Sequence, residues 1–409
     1  MPNTSNASVP LGPTANNTGS HRIAAIDWMR GFVMILMAID HASMMWNIGR
    51  LNGDSAYLPS VDLATALWVP GTLLDQAQFY TRWITHLCAP TFLFLSGTSL
   101  AMSFEKRRAE GMPEHELDRH LLIRAAIILA CEGFLSLMAG TGYLTLQVLF
   151  AISISMVAMI FLRRLSTPAL LLLGLGWLVG SEWVLGALFP VVTNFSDGAA
   201  LNAYSIPTLL LFVAGHSKSI IVLYPMTHWL AMMLIGWAFG RFLLERPAND
   251  VGRQQTEKLL LWSGLASLLI CTLVRSLHSY GNMGLLRDDT SLVQWLHMSK
   301  YPPSLSYSLM ELGIMALLLL LCMRRERTMK QAPSHGNPLL VFGQTALFFY
   351  MLHFIVLAAG LAVFGGGSMT HGLLETYGAA AVTLILLYPV CIGFRALKRR
   401  YPKSFLQYI

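Results

Sequence analysis

Apolar residues run along the chain in blocks of about 18 or more, parted by short polar connections, which is the length an α-helix needs to cross a bilayer. Ten such spans are predicted: 24–46, 84–104, 121–141, 143–162, 168–190, 224–244, 257–277, 304–323, 338–362 and 377–396. The stretch 206–215 (IPTLLLFVAG) is too short to cross and reads as a re-entrant or interfacial segment leading to the sixth span. Residues 1–22 begin with an Asn/Ser/Thr/Pro-rich run and hold no apolar block, the pattern of a disordered tail and not of a signal peptide. The expected fold class is therefore all-α, a polytopic membrane helix bundle of about ten transmembrane helices. One domain would span 23–397, followed by a basic cytoplasmic tail at 398–409. No convincing internal repeat is present.

Lysine and arginine orient the bundle. Of the 28, 21 lie on alternate connections, in groups such as Lys106–Arg107–Arg108 and Lys398–Arg399–Arg400. The opposite connections hold six, Arg50, Arg82, Lys218, Arg275, Arg287 and Lys300, and Arg30 lies inside a span. This bias predicts that both termini are cytoplasmic. It also explains the net charge of +7 as a topology signal, so nucleic acid is not an expected partner. Charged residues make up only 12% of the chain, about half the usual share of a soluble domain. The five cysteines are scattered without CxxC spacing and read as small buried residues.

The first span, within HRIAAIDWMRGFVMILMAIDHASMMW, carries Asp27, Arg30, Asp40 and His41. Charges in hydrocarbon are costly and usually functional. Eleven helical residues make three turns plus about 20°, so Arg30 and His41 share a face about 16 Å apart along the axis. Asp27 precedes Arg30 by one turn and is expected to pair with it. The alternative is that these groups only hold helices together.

Other candidates lie where the orientation puts the outer side. His86 opens the second span, Pro90 follows in its first turn, and Ser96–Gly97–Thr98–Ser99 permits close helix contact. In SKYPPSLSYSLMELG, Lys300 and Tyr301 precede Pro302 and Pro303, which fix the backbone. A cation and a phenol held there suit an anionic or sugar-like group. Tyr350 and His353 are spaced i,i+3 in the ninth span, and Tyr224, His228 and Trp229 open the sixth. Glu132, Glu182 and Glu311 are expected to pair or hydrogen-bond internally. No HxxxH or HExxH pair occurs, so no metal site is expected, and there is no P-loop or strand-linked GxGxxG.

Five segments, AIDWMRGFVMILMAIDH, WITHLCAPTFLFLSGTS, LYPMTHWLAMMLIGWAFGR, KYPPSLSYSLMELG and ALFFYMLHF, resemble bacterial proteins grouped with the catalytic domain of heparan-α-glucosaminide N-acetyltransferase. The Arg30-to-His41 spacing also resembles the arginine–ten residues–histidine signature of membrane acyltransferases that O-acetylate bacterial polysaccharides. The resemblance implies transfer of an acetyl group from cytoplasmic acetyl-CoA to a sugar outside, using a histidine. The chain departs from the lysosomal enzyme, whose catalytic histidine lies in the loop after the first conserved span. Residues 47–83 contain no histidine.

The expected function is thus transmembrane acyl transfer in a bacterial inner membrane, among membrane lipid. Acetyl-CoA would be a co-substrate rather than a tightly bound cofactor, and a sugar or glycan the acceptor. His41 would be general base or transient acyl carrier, with His86 and His353 as further catalytic candidates. Arg30 with Asp27 would serve the donor, and Lys300, Tyr301 and His228 the acceptor. The rival class is a transporter in which Arg30, His41 and His353 line a proton or anion path; a membrane scaffold is a third reading. A homo-oligomer is compatible with all three.

Overall fold

A computed structural model describes residues 23–52, 54–55, 71–188, 205–217, 219–247, 249–329, 331, 333–402 and 404–408. The expected disordered tail at 1–22 lies outside them, as does the loop 56–70. In chain order the helices are α1 (Ala24–Trp46), α2 (Gln76–Thr85), α3 (Cys88–Ala109), α4 (Glu114–Met138), α5 (Val148–Leu162), α6 (Thr167–Leu188), α7 (Ile206–Leu211), α8 (Met226–Glu245), α9 (Asp250–Leu277), α10 (Leu292–Leu296), α11 (Leu305–Thr328), α12 (Pro338–Gln344), α13 (Ala346–Phe364) and α14 (Leu373–Arg400). A 3₁₀ turn at Phe405–Tyr408 follows. Each of the ten predicted spans contains a helix, but 338–362 divides into α12 and α13, 84–104 is interrupted between α2 and α3, and 143–162 begins with a short strand. Among the described residues eight helical segments, α2 and α3 counted together, are long and apolar enough to cross a membrane. Of the other two, α1 carries Asp27, Arg30 and Asp40, and α5 has only 15 residues. The protein is an all-α, polytopic integral membrane bundle.

The helix ends follow local chemistry. Asn249, Ser304 and Asn337 cap α9, α11 and α12 by accepting from the N–H groups of Gly252, Tyr307 and Leu340, which satisfies donors that have no intrahelical partner. In α1 the capping comes from far along the chain. Glu326 of α11 accepts from both Ala24 N and Ala25 N at 2.9 Å. The stretch 206–215 becomes the short helix α7 and part of a three-stranded sheet. Its strands β1 (Leu144–Leu146), β2 (Gly215–Ser217) and β3 (Ile220–Val222) are ordered β1-β3-β2. β1 runs parallel to β3, with Leu144 opposite Ile220, and β2 runs antiparallel to it.

Small residues set the tightest helix crossings. A Cβ at Gly97 would strike the Met233 carbonyl, and one at Gly236 the Phe94 carbonyl, so α3 and α8 approach backbone to backbone. Thr98 Oγ1 donates to Gly236 O across this seam at 2.9 Å. Gly31 and Gly343 bring α1 against α12 in the same way. One extensive apolar core joins the inward faces of α1, α3, α8, α11 and α13, with smaller clusters around Trp46 and around Phe150. Large apolar side chains such as Leu269 and Leu273 of α9 and Ile385 and Leu386 of α14 stay exposed, the faces that lipid covers. At the α1 C-terminal end, buried Arg275 donates to Asn282, Leu285, Gln294, Trp295 and His297. It thereby shapes the connection that delivers Lys300.

Candidate active site

α1 and α13 bring two histidines together inside the bundle. His41 Nδ1 lies 2.5 Å from His353 Nε2, and the rings stack at 4.8 Å. His353 Nδ1 lies 3.1 Å from the carbonyl oxygen of Phe349, four residues earlier on α13. A carbonyl only accepts, so Nδ1 of His353 carries the hydrogen. With both rings neutral, His353 Nε2 is then the acceptor and His41 Nδ1 the donor. That leaves the lone pair on His41 Nε2, which makes no hydrogen bond among the described residues. Phe354 stacks on His41 at 4.4 Å, and Tyr350 meets it edge-on at 5.8 Å. His41 is 7% exposed and His353 fully buried.

Toward the α1 C-terminal end the dyad gives way to a buried ionic network. Asp40, next to His41, accepts from Arg50 and Arg82 at 2.8 Å each. Arg82 also donates through Nε to Asp54 at 2.8 Å, and through Nη2 to Tyr301 Oη at 3.5 Å. His86 Nε2 lies 3.3 Å from the same Asp54 oxygen. Burial disfavours the charged Asp54 carboxylate, but Arg82 and His86 beside it hold its pKa well below the usual carboxylate range. The Tyr301 hydroxyl follows the same logic. Burial raises its pKa, and Lys300 and Arg82 bring it below the ordinary phenol value.

The backbone around this network explains its rigidity. Pro90 lacks the N–H that would bond the His86 carbonyl. Tyr307 Oη supplies the missing donor at 3.0 Å, so the break between α2 and α3 is filled by α11. Lys300 N donates to Asp54 O at 2.9 Å, and Ser55 Oγ to Tyr301 O. Two loops are thereby stitched together over the helix ends. The Lys300 side chain is 2% exposed, with its Nζ 5.4 Å from the Tyr301 ring centre.

On the other side of the dyad a cavity of ≈ 200 Å³ opens toward the N-terminal end of α1. Its walls include Arg30, Arg124, Lys398 and Tyr408 together with Met34, Met156 and Tyr350. Tyr350 is shared: it lines the cavity and lies edge-on to both imidazoles, 5.5 Å from His353. Asp27 pairs with Arg30 at 3.2 Å and also accepts from Gln344 at 3.2 Å. Arg30 further donates to Ser99 Oγ.

Residues 22–275 match the family described as heparan-alpha-glucosaminide N-acetyltransferase, catalytic. The chain belongs to this family. No individual curated protein matches it. The chain is accordingly a membrane acetyltransferase-like protein. The matched segment contains Asp27, Arg30, His41, Asp54, Arg82, His86 and Arg124, whereas Lys300, Tyr301 and His353 follow it.

Set against the sequence reading of this acetyltransferase relative, the expected Asp27–Arg30 pair forms. Arg30 lines the cavity, and His41 lies beyond Tyr350, which borders both the cavity and the dyad. His86, Lys300 and Tyr301 are brought together. Lys300 and Tyr301 are buried, however, rather than displayed at an outer mouth. His228 sits elsewhere: fully buried, it meets Trp177 of α6 at 5.6 Å, and neither ring nitrogen has a hydrogen-bond partner among the described residues. Glu132 and Glu182 accept from backbone N–H groups as expected. Glu311 differs, with no ion pair or hydrogen bond among the described residues. Sequence reasoning did not single out Asp54, Arg82, Tyr307 or Arg124 as site residues. Arg82 entered the sequence reading only as one of the six outer-side cations, although it lies four residues before His86.

Proposed function

We propose that the protein moves an acetyl or other short acyl group from cytoplasmic acyl-CoA to a hydroxyl or amine of a sugar or glycan at the outer face. The setting would be a bacterial inner membrane with both termini inside, as the lysine and arginine bias supports. The observation that carries this reading is Tyr350, whose side chain both lines the cation-bearing cavity and packs against the histidine dyad. At ≈ 200 Å³ the cavity is smaller than pockets for compact drug-sized ligands, which suits a slender thioester arm. Arg30 and His41 lie about 16 Å apart along the helix, so the phosphates of a donor can remain near one end while its thioester reaches the other.

In this reading His41 Nε2 is the general base. The acceptor oxygen or nitrogen attacks the thioester carbonyl carbon and gives its proton to Nε2. The C–S bond breaks, and the departing thiolate takes that proton from the imidazolium. His353 positions His41 and selects its tautomer. Arg30, tied to Asp27, forms part of the donor wall. His86, Lys300 and Tyr301 present polar groups on the acceptor side, kept in place by Asp54 and Arg82. Calorimetry of purified protein with acetyl-CoA, followed by transfer assays with amino sugars and glycans, tests the reading. Binding and transfer are expected in the wild type, with His41→Ala binding acetyl-CoA normally and transferring nothing. A folded, monodisperse wild type without acetyl-CoA affinity at millimolar ligand would end the reading and favour transport.

A further inference from the structure

The cavity beside α1 has three cations in its wall, Arg30, Arg124 and Lys398, and no carboxylate. A smaller neighbouring cavity shares Arg124 and adds Arg107 and His120, again without an acid. The two arginines of the larger cavity are chemically unequal. Arg30 is matched by Asp27 and donates to Ser99 Oγ and Leu95 O. Arg124 has no ion pair or hydrogen bond among the described residues, and its Nε is buried without an acceptor. The charges that act on it are the like charges of Arg30 and Arg107. A guanidinium has five donors in a planar fork and cannot shed its charge. Burying one among other cations is unfavourable unless an anion joins it. A guanidinium and an ammonium in one cavity wall, with an imidazole in the wall of the neighbouring cavity, suit a phosphate.

We infer that Arg124, rather than Arg30, is the phosphate-binding residue of this cavity, with Lys398 assisting. Arg30 then shapes the wall, its charge already spent on Asp27. The inference deepens the donor reading above and rests on it for one of two phosphate sources. One source is the phosphate-bearing end of the acyl-CoA donor, and the other is the headgroup of an anionic phospholipid.

Wild type, Arg124→Gln, Arg124→Lys and Arg30→Gln would be purified in a maltoside detergent, which carries no phosphate. Affinities for acetyl-CoA and for acetyl-pantetheine, which lacks the phosphates, would be measured by calorimetry. Thermal stability would be followed with and without added phosphatidylglycerol. If the donor is the source, wild type prefers acetyl-CoA over acetyl-pantetheine by at least about tenfold, the usual scale of charge-assisted hydrogen bonds. Arg124→Gln erases that preference, Arg124→Lys keeps part of it, and Arg30→Gln keeps most of it. If phospholipid is the source, the acetyl-CoA preference survives in Arg124→Gln, and the stabilisation by phosphatidylglycerol disappears. Arg124→Gln removes an unmatched charge, so without ligand it is expected to melt no lower than wild type. Retention of both the acetyl-CoA preference and the lipid stabilisation in folded Arg124→Gln overturns the inference. If wild type binds no acyl-CoA at all, the transfer reading falls, and the phosphatidylglycerol arm alone decides the role of Arg124.

Discussion

His41 owes its free lone pair to a backbone carbonyl it never touches. Phe349 O orients His353, and His353 orients His41. The two substitutions should therefore separate chemistry from positioning. His41→Ala is expected to lower kcat by about 10²–10⁴-fold with acetyl-CoA affinity unchanged. His353→Ala should cost less, because His41 keeps its base but loses its fixed tautomer. His353→Gln, whose amide oxygen can accept from His41 Nδ1, should recover part of the rate. Equal loss in His353→Ala and His353→Gln would show that the second ring does more than orient the first. A second expectation at this scale concerns Asp54, which Arg82 and His86 hold ionised. Its folded pKa lies below its unfolded value of about 3.9, so the stability it contributes is fully present above about pH 5 and is lost as pH falls toward the folded value. Melting temperatures of wild type should fall steeply below about pH 4, and Asp54→Asn should show a shallower acid limb. The alignment of Arg30 with His41 was legible in the sequence, because a helix converts spacing into geometry. Asp54 was not, since one aspartate in a loop carries no periodicity, and only tertiary folding brings it to Arg82 of α2.

Helices were the most legible part of the fold. An apolar block of bilayer length is a local property, and each of the ten predicted spans contains a helix. Breaks between elements were less visible. The interruption at His86–Leu87 depends on Pro90 withholding an N–H and on Tyr307, more than two hundred residues later, replacing it. The six-residue α7 and the sheet β1-β3-β2 follow from pairing between distant segments, which hydropathy does not register. The small-residue run at 96–99 did foretell a close helix contact: Gly97 meets the backbone of Met233, and Thr98 donates to Gly236, both of α8. Gly236→Val would drive a side chain into the Phe94 carbonyl and force α3 from α8. A loss of roughly 1–3 kcal/mol or more is expected, read as a lower melting temperature and reduced yield. Gly176→Ala, at a helical position with nothing within 4 Å of the new Cβ, should be neutral or stabilising by up to about 1 kcal/mol. Equal behaviour of the two variants would contradict the α3–α8 seam.

At the scale of the whole molecule the two ends differ in kind. Around the N-terminal end of α1 a cavity gathers three cations and no carboxylate in its wall. Around its C-terminal end the charges are matched, Asp40 and Asp54 against Arg50 and Arg82. An acyl-CoA donor is available only in the cytoplasm, so the transfer reading requires the cationic cavity to open there. The lysine and arginine bias predicts that orientation independently of the cavity. Single cysteines introduced into a cysteine-free variant decide it. The native cysteines are buried or half-buried, so replacing them by alanine or serine leaves the surface unchanged. A membrane-impermeant maleimide applied to intact cells should label cysteine at Asn52 or Asp288 and not at Glu110 or Arg327. After the membrane is opened, the latter pair should label too, which shows that those sites are reactive. The reverse pattern would turn the cavity toward the outside, where no acyl-CoA is present. Arg124 could still meet a lipid phosphate there, but the dyad would lose its donor, and transfer from cytoplasmic acyl-CoA would have to be abandoned even if detergent-solubilised protein bound it.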